Sequence, residues 1–292
     1  MRIFITGATG WVGFAVVDDL VAAGHQVTGL ARSGEKAALL GAAGAEVLRG
    51  TLDDLDILRS AASAADAVIH TAFNHDFSRF AENAEQDRRA IETLGSALEG
   101  SDRPLLVTSG VALLAPGRLA TEADVLQPDP SFPRRSEFAA NALAERGVRV
   151  ATIRLAPSVH GIGDHGFIPM LIAMAREKGV AAYIGEGMNR WPGVHRLDAA
   201  RLYRLVLERG VTEPAYHAIA DEGVPFRDIA EMIGRRLGLP AGSRDAGHFG
   251  WFARFAGLDM PASSERTRSL LGWNPTGPDL LTDLDQPGYY PS

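Results

Sequence analysis

Cysteine is absent from the 292-residue chain, which excludes disulfides, thiolate catalysis and Cys-ligated zinc and fits a reducing cytoplasm. No apolar run is long enough to span a bilayer. The N-terminus enters a strand-like stretch directly, without the basic and apolar regions of a secretory leader. Runs of like charge are missing too, which argues against an electrostatic membrane anchor. Acidic residues outnumber basic ones, 36 to 29, for a net charge of −7. A nucleic-acid surface needs clustered positive charge to replace counterions, and the balance here runs the other way. No internal repeat or low-complexity linker divides the chain. The expectation is a soluble cytoplasmic protein with a small-molecule substrate, no nucleic acid and no membrane. With 46% hydrophobic residues the chain can bury one large core, or a core with a smaller appendage.

What is present is organised around residues 3–13, IFITGATGWVG. Ile3, Phe4 and Ile5 suit a strand. Glycines 7, 10 and 13 then open an amphipathic stretch, 11–23, that stops at Gly24. The pattern reads as strand, tight turn, helix, in which Gly7 makes the turn, Gly10 lets a pyrophosphate approach the helix N-terminus, and Gly13 lets helix and strand pack closely. Thr9, Trp11 and Val12 belong to the same cradle. A plain glycine-rich turn is the competing reading; the position directly after a strand and before a helix favours the nucleotide.

The next strand, 26–30, ends in Ala31, Arg32, Ser33 and Gly34. An acid here would take the adenosine ribose hydroxyls and repel a 2′-phosphate, and none occurs before Glu35. Arg32 and Ser33 could hold that phosphate by a charge-assisted fork and a hydroxyl, which favours NADP(H) over NAD(H); a solvated loop arginine is the alternative. A helix over 36–44 and a strand over 45–48 follow. Asp53 or Asp54 can cap the helix expected over 55–64. An apolar strand, 67–71, leads into Ala72, Phe73, Asn74 and His75. By the rule that ligands lie beyond the carboxyl ends of parallel strands, Thr71, Ala72 and Phe73 line the nucleotide. After a long helix, 78–98, a fifth strand ends at Thr108, Ser109 and Gly110, whose hydroxyls would face nicotinamide and substrate.

The TGxxGxxG spacing of TGATGWVG resembles the fingerprint of extended short-chain dehydrogenases/reductases. AVIHTA (67–72), LVTSG (106–110), IRLAPSVHGIGDHGFIP (153–169), VHRLDAA (194–200) and LGWNP (271–275) fall in the same order of elements. The resemblance implies a Rossmann-type, doubly wound parallel α/β sheet over 1–155 and a small mixed α/β substrate lobe over 156–292, some segments of which return to the main sheet. It also implies an adenine contact from Leu52 and Asp53, and nicotinamide contacts from Ala156, Pro157, Ser158 and Val159. Homodimers are common in that family, and no segment here proves one.

One part of the family pattern is missing. Its Tyr, with a Lys four residues later, handles the proton, and no YxxxK occurs. Aligning Ser136 with the Ser of YxxSK puts Pro133 at the Tyr position and Glu137 at the Lys position. The Ser/Thr position falls on Ser109 or, in an equally good register, on Gly110. The chain is thus an atypical member, with substitute candidates in Ser109, Ser136, Glu137 as an acid if burial raises its pKa, His160, and Arg134 or Arg135 as electrostatic stabilisers of an alkoxide, Arg135 fitting best. Ser136 is also a natural N-cap for a helix at 138–146.

Beyond a strand at 149–154, glycines 161, 163 and 166 mark a long loop carrying His160, Asp164 and His165, without the fixed geometry a metal needs; no metal is expected. Helices at 167–178, 199–209, 226–237 and 263–271 and a strand at 216–219 complete the chain, and Met188 with Trp191 could floor an apolar pocket. The leading reading is an NADP(H)-dependent oxidoreductase of small carbonyl, alcohol or imine compounds. A non-catalytic NADP(H) sensor and a nucleotide-sugar epimerase or dehydratase are the alternatives.

Overall fold

The computed structural model describes residues 1–129 and 132–291. Contacts divide the chain into two compact units. The first comprises Met1–Ser109, Gln127–Arg154 and Ala200–Tyr216; the second comprises Gly110–Leu126, Leu155–Ala199 and the chain from His217 onward.

Strand and helix alternate through β1 (Arg2–Thr6), α1 (Trp11–Ala22), β2 (Gln26–Ala31), α2 (Gly34–Ala42), β3 (Glu46–Arg49), α3 (Leu55–Ala64), β4 (Ala67–His70), α4 (Phe80–Ser96), β5 (Leu105–Gly110), α5 (Ser136–Glu145) and β6 (Val150–Leu155). The chain continues with β7 (Ser158–His160), α6 (Phe167–Lys178), β8 (Ala181–Ile184), β9 (Arg190–His195), α7 (Arg196–Arg209) and β10 (Ala215–Ala218). It closes with β11 (Asp221–Pro225), α8 (Phe226–Leu237), β12 (Ala241–Arg244), α9 (Ala253–Ala256), α10 (Glu265–Leu271) and α11 (Leu280–Leu284).

Seven strands form one mostly parallel sheet in the order β10-β6-β5-β4-β1-β2-β3. The parallel register runs Ile3 beside Val27 on one side of β1 and beside Ala67 on the other. Helical crossovers cover both faces of such a sheet, which is why Ile3, Phe4 and Ile5 in β1 and Ala67, Val68 and Ile69 in β4 form apolar runs and are buried. Strand order reverses between β1 and β4, creating the crevice where ligands of doubly wound sheets lie. Phe4, Val68, Leu105 and Val107 pack with Leu58, Ile91, Leu94 and Leu143 from the helices into one core.

The second unit has its own core around Trp191, whose ring meets Phe226 edge-on at 5.1 Å. A three-stranded sheet (β11-β9-β7) and a two-stranded one (β12-β8) form its frame. The suggested floor of Met188 and Trp191 does not form: Trp191 is fully buried, while Met188 is 62% exposed.

Local chemistry moves several expected boundaries. Helix α4 starts at Phe80 because the Asp76 carboxylate accepts from Ser78 N and closes a separate 3-10 turn over Phe77–Arg79. Neither expected aspartate caps α3 with its side chain. Asp54 occupies the N-cap, but its carboxylate accepts from the backbone and hydroxyl of Thr51, and Asp53 accepts from Gln86 and Arg89 on α4. Arg135, not Ser136, is the N-cap of α5.

Candidate functional site

The glycine loop connects β1 to α1 beside the end of β4. Gly7 adopts φ +70, and a Cβ there would lie 2.5 Å from Ala72 N. A Cβ on Gly13 would run into the Gly7 carbonyl oxygen and lie 2.6 Å from the Thr71 hydroxyl. Thr71 is fixed in turn by donating to the Thr6 carbonyl at 2.8 Å. Both glycines are therefore required by the protein's own packing. Gly10 is different: its Cβ would meet only Gly7 O, at 3.2 Å. It is exposed, it is the N-cap of α1, and it supplies no side-chain cap. Backbone N–H groups in the first turn of a helix have no intrahelical acceptor, so this terminus suits an anion. Thr9, Trp11 and Val12 are half-buried around it.

At the end of β2, Arg32 and Ser33 are exposed. The Ser33 hydroxyl caps α2, accepting from Lys36 N at 3.3 Å. Arg49, at the end of β3, donates from Nη2 to the Arg32 carbonyl at 3.1 Å, so a second guanidinium stands at this strand end. Sequence reading missed Arg49 because the strand pairing that places it, Ala31 beside Arg49, is not visible locally. Leu52 is half-buried next to the exposed Asp53.

A buried chain of polar groups runs beneath the carboxyl ends of β1, β4 and β5. Thr6 Oγ1 and His70 Nδ1 are 2.7 Å apart, and His70 Nε2 and Asp87 Oδ1 are 2.9 Å apart. Ser136 donates to Asp87 Oδ2 at 2.5 Å, and Arg134 Nε donates to Ser136 Oγ at 3.0 Å. Arg134 Nη2 donates to the Thr108 carbonyl at 3.1 Å, and its guanidinium lies 4.5 Å from the centroid of the Phe73 ring. Thr6, His70, Asp87 and Ser136 are all buried, at 1% exposure or less. Asp87 was hidden in the charge-rich string EQDRR. The histidine interrupting the buried AVIH strand was the available signal, since a sealed polar side chain needs a partner.

The expected catalytic residues separate. Ser109 is buried at the end of β5, and its hydroxyl has no hydrogen-bond partner among the described residues. Ser136 is committed to Asp87. Glu137 is sealed in an ion pair with Arg154. Arg135 is exposed on the helix N-cap, and Arg134 is half-buried. Thr108 shares a hydrogen bond of 2.8 Å with the hydroxyl of Tyr203 on α7. Burial pushes the Tyr203 phenol well above its ordinary pKa, so it keeps its proton near neutrality. Asn74 and His75 are exposed.

In the second unit, Ala156 and Ser158 are buried, Pro157 and Val159 half-buried, and the Ser158 hydroxyl is sealed without a partner. His160 is fully buried, with Nδ1 2.8 Å from Asp283 and Nε2 3.9 Å from Asp221. Tyr289 donates to the same Asp283 oxygen at 3.2 Å and accepts from Gly161 N at 2.6 Å. As placed, His160 ties the C-terminal residues to β7, and neither of its nitrogens faces solvent. Asp164 accepts from Gly166 N at 2.7 Å, and burial pushes its carboxyl up to about 6. Among the described residues no group of His, Asp and Glu could hold a metal ion. No helix among them is long and apolar enough to cross a membrane.

The chain is similar to known proteins in sequence and in fold. A family model described as NAD(P)H-binding matches residues 7–154. An uncharacterised protein of Schizosaccharomyces pombe is 49% identical over 99% of this chain and 100% of its own. A 4-hydroxy-2-methyl-3-oxo-4-farnesyl-3,4-dihydroquinoline-1-oxide ketoreductase of Stigmatella aurantiaca is 29% identical over 82% of this chain and 75% of its own. Among solved structures, a dTDP-glucose 4,6-dehydratase of Streptomyces venezuelae with NAD bound superposes with a TM-score of 0.78 at 20% identity, covering 99% of this chain and 97% of that one, a likeness of fold. The chain belongs to the NAD(P)H-binding family.

Proposed function

We propose that the protein is an NADP(H)-dependent oxidoreductase acting on a small carbonyl, alcohol or imine compound, with a proton donor other than the family Tyr/Lys pair. The observation that carries this reading is the glycine loop. Gly7 and Gly13 are demanded by packing, whereas Gly10, whose Cβ would press only on the Gly7 carbonyl oxygen at 3.2 Å, stands where a pyrophosphate would need backbone rather than side chain. Arg32 and Arg49 at the ends of β2 and β3 supply positive charge for a 2′-phosphate, in place of the acid that would select NAD(H). Ser33 reaches the same phosphate only with a hydroxyl that already caps α2.

When bound, the nicotinamide supplies or accepts the hydride. The chain's own residues hold and orient the reactants, which alone can lower a barrier by about 7–11 kcal/mol. One proton must also move to or from the substrate heteroatom. Ser109 is the hydroxyl we assign as hydrogen-bond donor to that oxygen or nitrogen, with water as the source of the proton, because the alternatives Ser136 and Glu137 are committed elsewhere. Reduction of a carbonyl by the Stigmatella aurantiaca relative, as its name states, supports the carbonyl class. The test is loss of NADPH absorbance against a panel of ketones, aldehydes and imines, with S109A as control. Turnover lowered at least tenfold in S109A is the expected result. Tight NADPH binding with no turnover across the panel would favour a sensor, a reading encouraged by Pro133 and the neutralised Glu137 at the Tyr and Lys positions.

A further inference from the structure

We propose that the free edge of the Arg134 guanidinium binds a carboxylate of the substrate, so that the compound reduced is an oxo acid rather than a neutral ketone or aldehyde. This rests on the nucleotide reading above and adds the substrate class to it.

Three features of the side chain point this way. First, it is pinned in one orientation. Nε is held by Ser136 Oγ and Nη2 by the Thr108 carbonyl, while Phe73 supports the guanidinium face. Because Ser136 is anchored by Asp87, which His70 anchors in turn, the geometry is set before any ligand arrives. Second, the opposite edge is not engaged by the described residues. Nη1 and the second hydrogen of Nη2 have no acceptor among the described residues, and these are the donors of an end-on fork that matches a carboxylate. Third, the charge lacks a direct counter-ion. Asp87 lies one hydroxyl away and already accepts from Ser136 and lies within hydrogen-bond distance of His70, and burial holds the guanidinium below its ordinary pKa. An incompletely compensated, partly desolvated cation gains most from an anionic ligand.

The place is also right for a substrate. Phe73 lies three residues beyond β4 and Thr108 lies near the end of β5, and the carboxyl ends of these strands flank the reacting end of a dinucleotide in such sheets. A row of aromatic rings extends from the same point, Phe73 meeting Phe80 edge-on at 5.8 Å and Phe80 meeting Phe132 at 5.3 Å. Rings of this kind lower the local dielectric, strengthening a charge-assisted contact, and offer an apolar surface to the remainder of an oxo acid.

The experiment measures binding, so that it does not depend on turnover. Acetoacetate, 2-oxobutanoate, 3-oxohexanoate and benzoylacetate, each beside its ethyl ester, are titrated into NADP⁺-saturated protein and followed by intrinsic tryptophan fluorescence. The expected result is saturable binding of at least one acid, about tenfold or more tighter than its ester. R134Q should erase that preference while leaving NADP⁺ affinity within about twofold, and R134K should keep part of it. S136A, which unpins the guanidinium without removing its charge, should weaken acid binding severalfold. Equal binding of acids and esters by the wild type, no saturable binding of any acid, or an undiminished preference in R134Q would overturn the proposal. Failure of the wild type to bind NADP⁺ would overturn the nucleotide reading beneath it.

Discussion

Glu137 and Arg154 face each other as a sealed, side-on ion pair. Arg154 Nε donates to Glu137 Oε2 at 3.1 Å, Nη2 donates to Oε1, and each side chain is 4% exposed. The position that aligns with the family lysine thus carries an acid whose charge is cancelled by a neighbouring strand. Because breaking such a pair strands the other charge, E137Q should destabilise the protein by about 3–5 kcal/mol. The double variant E137M/R154M should recover most of that loss. Urea unfolding of the three proteins measures both effects.

The glycines of the loop should divide into two classes. A Cβ at position 13 strikes the backbone carbonyl of Gly7, which has nowhere to go, so G13A should cost about 2 kcal/mol or more of stability. A Cβ at position 10 meets one oxygen at 3.2 Å. G10A should change stability by less than about 1 kcal/mol yet weaken NADPH binding tenfold or more. Thermal melts paired with NADPH titration separate the two; equal effects of both substitutions on stability would be the wrong pattern.

Cofactor selectivity should reside at the ends of β2 and β3. R32A/R49A is expected to raise the dissociation constant for NADPH by about tenfold or more, from the loss of charge-assisted contacts to the 2′-phosphate. NADH, which lacks that phosphate, should change by less than about twofold. Parallel fluorescence titrations with the two nucleotides provide the comparison.

The stability profile carries a signature of Asp164. Its folded-state carboxyl titrates at about 6, raised chiefly by burial from an ordinary value of 3.8. Between those values the folded protein holds a proton that the unfolded chain has released. Its favourable contribution is therefore complete below about pH 4 and is lost as the pH rises through 6, on the order of 2 kcal/mol. D164N should remove this component, so the difference in urea midpoint between wild type and variant should change across that interval and level off above about pH 7. A constant difference would show that Asp164 titrates normally.

Much of the fold was legible because its signals are local. The apolar runs at β1 and β4, and the glycines at 7, 10 and 13, mark the parallel strands and the turn between the first strand and helix without any long-range information. Helices α3, α6 and α8 fall at their expected limits, and Gly179 and Gly238 end α6 and α8 in the left-handed conformation. Less legible were features made by partners far away in sequence. Ser136 reads as a helix cap until Asp87, 49 residues earlier, takes its hydroxyl. Arg134 and Arg135 are adjacent and chemically alike in the sequence, and only the folded chain lays one against Phe73 and leaves the other exposed. His160 similarly reads as a loop histidine until Asp283, 123 residues later, closes over it.

The most direct measurement is titration of the purified wild-type protein with NADPH and, separately, with NADH, followed by protein-to-nucleotide energy transfer. The expected result is saturable binding of one NADPH per chain, with NADH weaker by about tenfold or more. Absence of saturable binding by either nucleotide, or NADH binding as tightly as NADPH, would contradict the reading of the glycine loop and the two arginines beside it.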